Sequence, residues 1–223
     1  MENKNLIAVA GLKKLRTAQI LSVIAVILAA VGAIAALSGA VIAGGTAMDG
    51  NDALAVGALG VAGVGGLMTI AGLIIALVSF VMEIVGLVKT GPAHPSYKYA
   101  LYMVLANIAL GVVGFFVMNL PVVSAILQGI SPILVFLAVF FVLSATISLL
   151  REKGDEAAAA KGTTLRTIYL VCTAVNVFGN LIILCPVFTG FSSVITMIAS
   201  AVQLVALFMY ISFLGRSIHT LSE

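Results

Sequence analysis

Long apolar runs, each close to the length that crosses a bilayer, alternate along this chain with short breaks rich in polar residues, glycine or proline. The clearest unit lies between Thr163 and Arg216. There TTLRTIYLVCTAVNVFGNLIIL is followed by the turn CPVFTGF and then by SSVITMIASAVQLVALFMYISFLGR. Two such runs, with a basic residue at each far end, predict a membrane hairpin. The same unit recurs upstream, giving hairpins over 17–89, 98–151 and 165–216. Each opens on a cation flanked by similar residue types: Leu15-Arg16-Thr17, Tyr97-Lys98-Tyr99 and Leu165-Arg166-Thr167. Each closes on a cation, Lys89, Arg151 or Arg216. The expectation is an all-α membrane protein with six transmembrane helices, arranged as three antiparallel hairpins with a weak internal threefold repeat.

The breaks refine this plan. Residues 1–16 are basic and mildly amphipathic, with Leu6, Ile7, Val9, Leu12 and Leu15 interspersed among cations. They are expected to form a disordered cytoplasmic tail; the alternative is a helix lying on the membrane surface. The run from Thr17 to about Ala43 exceeds the roughly 7–15 apolar residues of a signal peptide, so it is read as helix 1. A glycine-rich outer segment, 39–66, lengthens the first hairpin and contains the turn TAMDGNDA. Gly57, Gly60, Gly63 and Gly66 recur every third residue, a spacing that drifts around a helix and predicts close packing or a loosely wound outer end. Pro92 and Pro95 interrupt the next connection, and Pro121 marks a very short outer turn. REKGDEAAAAKGTT reads as a solvated loop with one helical turn at Ala157 to Ala160, and 217–223 as a short polar cytoplasmic tail.

Composition agrees with the pattern. Hydrophobic residues make up 62% of the chain and charged residues 9%, against about half and a quarter in soluble domains. One polytopic domain in a lipid bilayer accommodates this; a water-soluble fold of this size does not. The formal charge is +3, and its placement matters more than its size. On the six-helix plan all 11 Lys and Arg residues fall on one side. The positive-inside bias then puts both termini in the cytoplasm and the protein in a cell membrane, and it explains the basic balance without a nucleic-acid partner. The five tyrosines fall towards the same side, as an interfacial belt would. All three hairpins share one orientation, which argues against the inverted repeats of many transporters. Cys172 and Cys185 lie on one helix about 20 Å apart, too far to pair within the chain.

Candidate chemistry is sparse. Glu83 is the one ionisable residue well inside an apolar run, about 9 Å short of Lys89 along the helix. Arg16, Gln19 and Lys98 are its expected neighbours, and an ion pair tying helices together is favoured over ion or proton handling. Hairpin three carries a polar seam. Cys172, Asn176 and Asn180 lie on helix 5, with Thr196, Ser200 and Gln203 on helix 6. Interhelical hydrogen bonding is its expected role, a solute path the alternative. Asn107 is a lone counterpart on helix 3. Stripes such as Ala25, Ala29, Ala33 and Ala36, Ala40, Gly44 suit close helix contact. His94 and His219 have no metal-ligand companions in the sequence, and no cofactor or metal site is expected. HExxH, GxSxG, P-loop and CxxC motifs are absent, so no enzyme activity is expected. The three-hairpin plan resembles mitochondrial carriers in architecture alone; their proline–acid–cation signature is missing, and nothing of theirs is carried over. Two functions remain: a membrane accessory or structural protein, oligomeric or bound to another membrane protein, and a small ion or solute transporter or channel using Glu83 and the polar seam.

Overall fold

The computed structural model describes residues 2–48, 52–117, 119–182 and 189–223. They form six helices: α1 Glu2–Met48, α2 Asp52–Thr90, α3 Pro95–Phe116, α4 Pro121–Glu152, α5 Glu156–Ile182 and α6 Thr189–Ser222. Among the described residues there is no strand. Five of the helices hold stretches long and apolar enough to cross a membrane: Lys4–Ile42, Val56–Thr90, Pro95–Phe116, Gly129–Glu152 and Ala201–Ser222. The described part of α5 is not among them; it opens on the polar run Glu156 to Arg166.

Local chemistry sets the helix ends. Pro95 takes the first position of α3, where a missing N–H costs nothing. His94 caps that helix: its backbone is extended, and its Nδ1 accepts the Ser96 N–H at 3.2 Å. The role of His94 is therefore that of a helix cap. The α4–α5 corner is tighter than the expected loop. Gly154 has φ of 84°, its N–H reaches the Arg151 carbonyl, and the Asp155 N–H reaches the Leu150 carbonyl at 3.0 Å. This is a Schellman ending, and α5 restarts at once because Asp155 accepts the Ala158 N–H at 2.9 Å. The run after Asp155 is consequently helix, with Ala158 and Ala159 buried.

The chain divides into two compact units, Thr17–Glu83 and Met1–Arg16 with Ile84–Glu223. In the larger unit α4 packs against α3, α5 and α6. Its core draws on the first halves of α3 and α5, the second halves of α4 and α6, and the start of α1. Leu12, Leu15, Leu87, Tyr97, Leu143, Leu150, Leu165 and Leu214 are all essentially inaccessible. Residues 2–16 are thus neither a tail nor a surface-lying segment. They are helix, and Ala8, Val9, Leu12 and Leu15 enter the core at i, i+3 and i+4 spacings. The C-terminal stretch does the same, with Ser217, Ile218 and Leu221 buried.

At the other ends of the same helices large side chains face outward. Phe115, Phe116, Ile126, Phe178 and Ile198 are all exposed. The split has a physical reason. Lipid is as apolar as Leu, Ile and Phe, so nothing drives large side chains inward where a helix faces it. Tyrosine placement follows the core, not a belt. Tyr97, Tyr169 and Tyr210 are buried, and only Tyr99 and Tyr102 are exposed. The Tyr97 hydroxyl donates to Thr146 Oγ1 at 2.9 Å, since Thr146 gives its own proton to the Val142 carbonyl at 2.8 Å.

Candidate functional site

The Thr17–Glu83 unit has one buried stripe, made wholly of small residues. Its buried described residues are Ala18, Ala25, Gly32 and Gly39 on α1, and Ala58, Gly65, Gly72 and Ser79 on α2. On each helix they recur every seventh position. Their contacts run in opposite directions along the two helices. A Cβ on Gly32 would lie 2.6 Å from the Gly65 carbonyl oxygen, and one on Gly39 2.6 Å from that of Ala58. A Cβ on Gly72 would lie 2.9 Å from the Ala25 carbonyl oxygen, and the Ser79 hydroxyl donates to the Ala18 carbonyl at 2.6 Å. Each pair of residue numbers adds to 97. A constant sum means antiparallel helices with no slip in register.

The seven-residue period matters physically. An ideal straight helix drifts by about 20° per heptad, and a slight left-handed supercoil cancels the drift and keeps one stripe on the partner. Spacings of four drift faster. Of the expected alanine stripes, Ala25 is buried and Ala29 half-buried at the interface, but Ala33 and Ala40 are exposed. The Gly44 side-chain position lies outside the described residues. A Cβ on Gly57, Gly60, Gly63 or Gly66 would meet nothing of this chain within 4 Å, and residues 52–66 are continuous helix, so the outer end is not loosely wound and these glycines do not pack within the chain. The ladder escapes a search for GxxxG-like fours, whereas a search at period seven finds it.

The larger unit contains one more rung of the same spacing. A Cβ on Gly11 would lie 2.7 Å from the Gly86 carbonyl oxygen, and one on Gly86 3.1 Å from that of Gly11. Thr90 closes this contact and satisfies its own hydroxyl on the Gly86 and Leu87 carbonyls, each at 3.1 Å.

The residues singled out for chemistry are distributed as follows. Glu83 is half-buried, and it shares the Thr17–Glu83 unit with Gln19, also half-buried; Arg16 and Lys98 belong to the larger unit. The ion pairs between side chains among the described residues are Arg151–Glu156 at 3.8 Å and His219–Glu223 at 3.1 Å, and Glu83 is in neither. Arg16 lies along α6, its guanidinium carbon 3.1 Å from where a Cβ on Gly215 would stand. The Lys98 stem passes over Gly91. In the polar seam, Cys172 is buried and Gln203 half-buried. The side chains of Asn176, Asn180, Thr196 and Ser200 lie outside the described residues, as does Cys185. Asn107 is not alone: its Oδ1 accepts from Ser131 Oγ of α4 at 2.8 Å, beside the helix-interior Pro132. Among the described residues no group of His, Cys, Asp and Glu is arranged to hold a metal.

No protein-family model matches the chain, and no curated protein or solved structure matches it. Five of its helices are compatible with a membrane protein, and the residues themselves carry any more specific reading.

Proposed function

We propose that this chain is a multi-pass integral membrane protein with an accessory or structural role, acting through helix–helix contact with a second copy or another membrane protein. One observation carries the reading. In the Thr17–Glu83 unit small residues hold two helices together, and no large described side chain is buried; Ile34, Leu37, Val41, Leu59, Leu67 and Leu77 all face outward. Such a surface suits lipid or another apolar helix. A transport or catalytic site needs polar groups converging on a cavity. The one buried polar side chain among the described residues of this unit, Ser79, is spent on a backbone carbonyl.

The topology belongs to the same proposal. The helices cross the cell membrane as three antiparallel hairpins, with both termini on the cytoplasmic side. The support is that on the six-helix plan every Lys and Arg falls on one side.

Glu83 favours a second reading, an ion pathway, because it is a carboxylate inside a span and outside both ion pairs. Sealed liposomes with proton- and cation-sensitive dyes separate the two. On the accessory reading, wild type, Glu83→Gln and empty vesicles give the same traces. A leak in wild type that Glu83→Gln abolishes would replace it with the pathway.

A further inference from the structure

Between the start of α5 and the end of α6 the larger unit holds an open cavity of about 640 Å³. Its floor is apolar: Leu165 and Phe213 are buried, and Phe208 and Met209 continue the apolar surface outward. Its rim is polar and carries Lys161, Thr164, Ser212 and Arg216, all exposed. Thr164 gives its hydroxyl proton to the Ala160 carbonyl at 3.2 Å, which leaves two cations and the Ser212 hydroxyl above an apolar trough, a match for an anionic headgroup joined to an acyl chain. We propose that this groove binds an anionic phospholipid of the surrounding bilayer, its phosphate held by Lys161 and Arg216 and an acyl chain lying along Phe208 and Met209.

The nearest competing charge does not occupy the cations. Asp155 directs Oδ1 to the Ala158 N–H at 2.9 Å and Oδ2 to the Thr220 hydroxyl at 3.1 Å. It feels Arg216 and Lys161 as neighbouring charges yet is in neither of the ion pairs among the described residues. Glu156 is turned towards Arg151 instead. Both cations therefore keep their donors for a ligand, and the rim stays net positive. The level is right as well: Arg216 and Lys161 sit at the polar ends of α6 and α5, while Phe208 lies about 12 Å deeper along α6. Basic pockets between membrane helices at this level are where acidic headgroups bind. A further cation, Arg166, stacks over Phe140 at 5.1 Å and is thus committed elsewhere.

The test uses the full chain in mild detergent, with phosphatidylglycerol and phosphatidylcholine of identical acyl chains added in equal amounts. Native mass spectrometry counts the lipids retained. The expected result is a preference of about tenfold for phosphatidylglycerol, which corresponds to about 1.4 kcal/mol. That preference should vanish in Lys161→Gln/Arg216→Gln, persist in Lys161→Arg/Arg216→Lys, and persist in Lys4→Gln/Lys89→Gln, which removes equal charge away from the groove. Equal retention of both lipids by wild type overturns the proposal. So does an unchanged preference in Lys161→Gln/Arg216→Gln, or an equal loss in the Lys4/Lys89 control. A preference abolished by inorganic phosphate alone would assign the site to a free anion and likewise overturn it. Resistance of the protein to alkaline extraction from membranes, read on the same variants, tests membrane integration separately.

Discussion

At the scale of single residues, hydroxyls and one carboxylate do the specific work. Ser79 gives its proton to a carbonyl on the facing helix, and it is the sole buried side-chain hydroxyl among the described residues of that ladder. Hydrogen bonds between membrane helices are worth about 0.6 kcal/mol on average, since the separated helices find other partners. Ser79→Ala should therefore lower stability by about that much in detergent unfolding, whereas Ser38→Ala, whose hydroxyl bonds its own helix at exposed carbonyls, should change little. Asp155 is the group with a pH signature. The Ala158 N–H holds its carboxyl below the ordinary value of 3.8, and Thr220, Arg216 and Lys161 add to this while burial opposes it. A carboxyl depressed in the folded state contributes stability above its unfolded pKa and loses it as pH falls through the folded one. Melting temperature measured from neutral pH downwards should therefore fall in strong acid, and Asp155→Asn, which keeps a capping side chain, should flatten that limb.

At the scale of elements, the α1–α2 ladder fixes the distance between two helices, and glycines decide it. A Cβ on Gly65 would meet the Gly32 carbonyl oxygen at 2.6 Å, which is backbone and cannot swing aside. Gly65→Ala should cost about 1–3 kcal/mol as the helices are forced apart. Gly60→Ala, with open space around it, should be neutral or gain up to about 1 kcal/mol from helix propensity. Thermal unfolding of the two variants side by side checks the pair. Equal losses would mean that glycine content, not the seventh-position ladder, matters.

What the sequence made legible follows from the same physics. Six helices were readable, because apolar runs between Pro92, Pro121 and the KGD corner are strong signals. Less readable was where helices start. The spacing of Ala8, Val9, Leu12 and Leu15 is that of a packed amphipathic helix, but charges around it suggest a tail. Gly154-Asp155 is a stop and a start side by side, and it reads as a loop unless both caps are sought. Of the candidate site, the Glu83 position inside a span was readable, but no sequence pattern says what lies beside it. The groove at Lys161 and Arg216 was not readable, since these two cations lie 55 residues apart and its floor is ordinary apolar sequence.

At the scale of the whole molecule, two modes of burial coexist. The larger unit hides leucines and tyrosines in a core at one end of its helices. The Thr17–Glu83 unit hides only small residues and turns its large ones outward. At 47 residues α1 is about 70 Å long, more than twice the roughly 30 Å of hydrocarbon in a bilayer. Those facts fit a membrane protein that offers the apolar helix faces of one unit to a neighbour while the helices of the other fold a conventional core.

The most direct test of that account is cross-linking in intact membranes. Single cysteines at outward positions Ile34, Leu59, Gly60, Gly63 and Leu67, in a background with Cys172→Ser and Cys185→Ser, would be treated with a short thiol cross-linker. The account expects a covalent adduct with a second copy or another membrane protein at one contiguous set of these positions. Monomer alone at all five would contradict it.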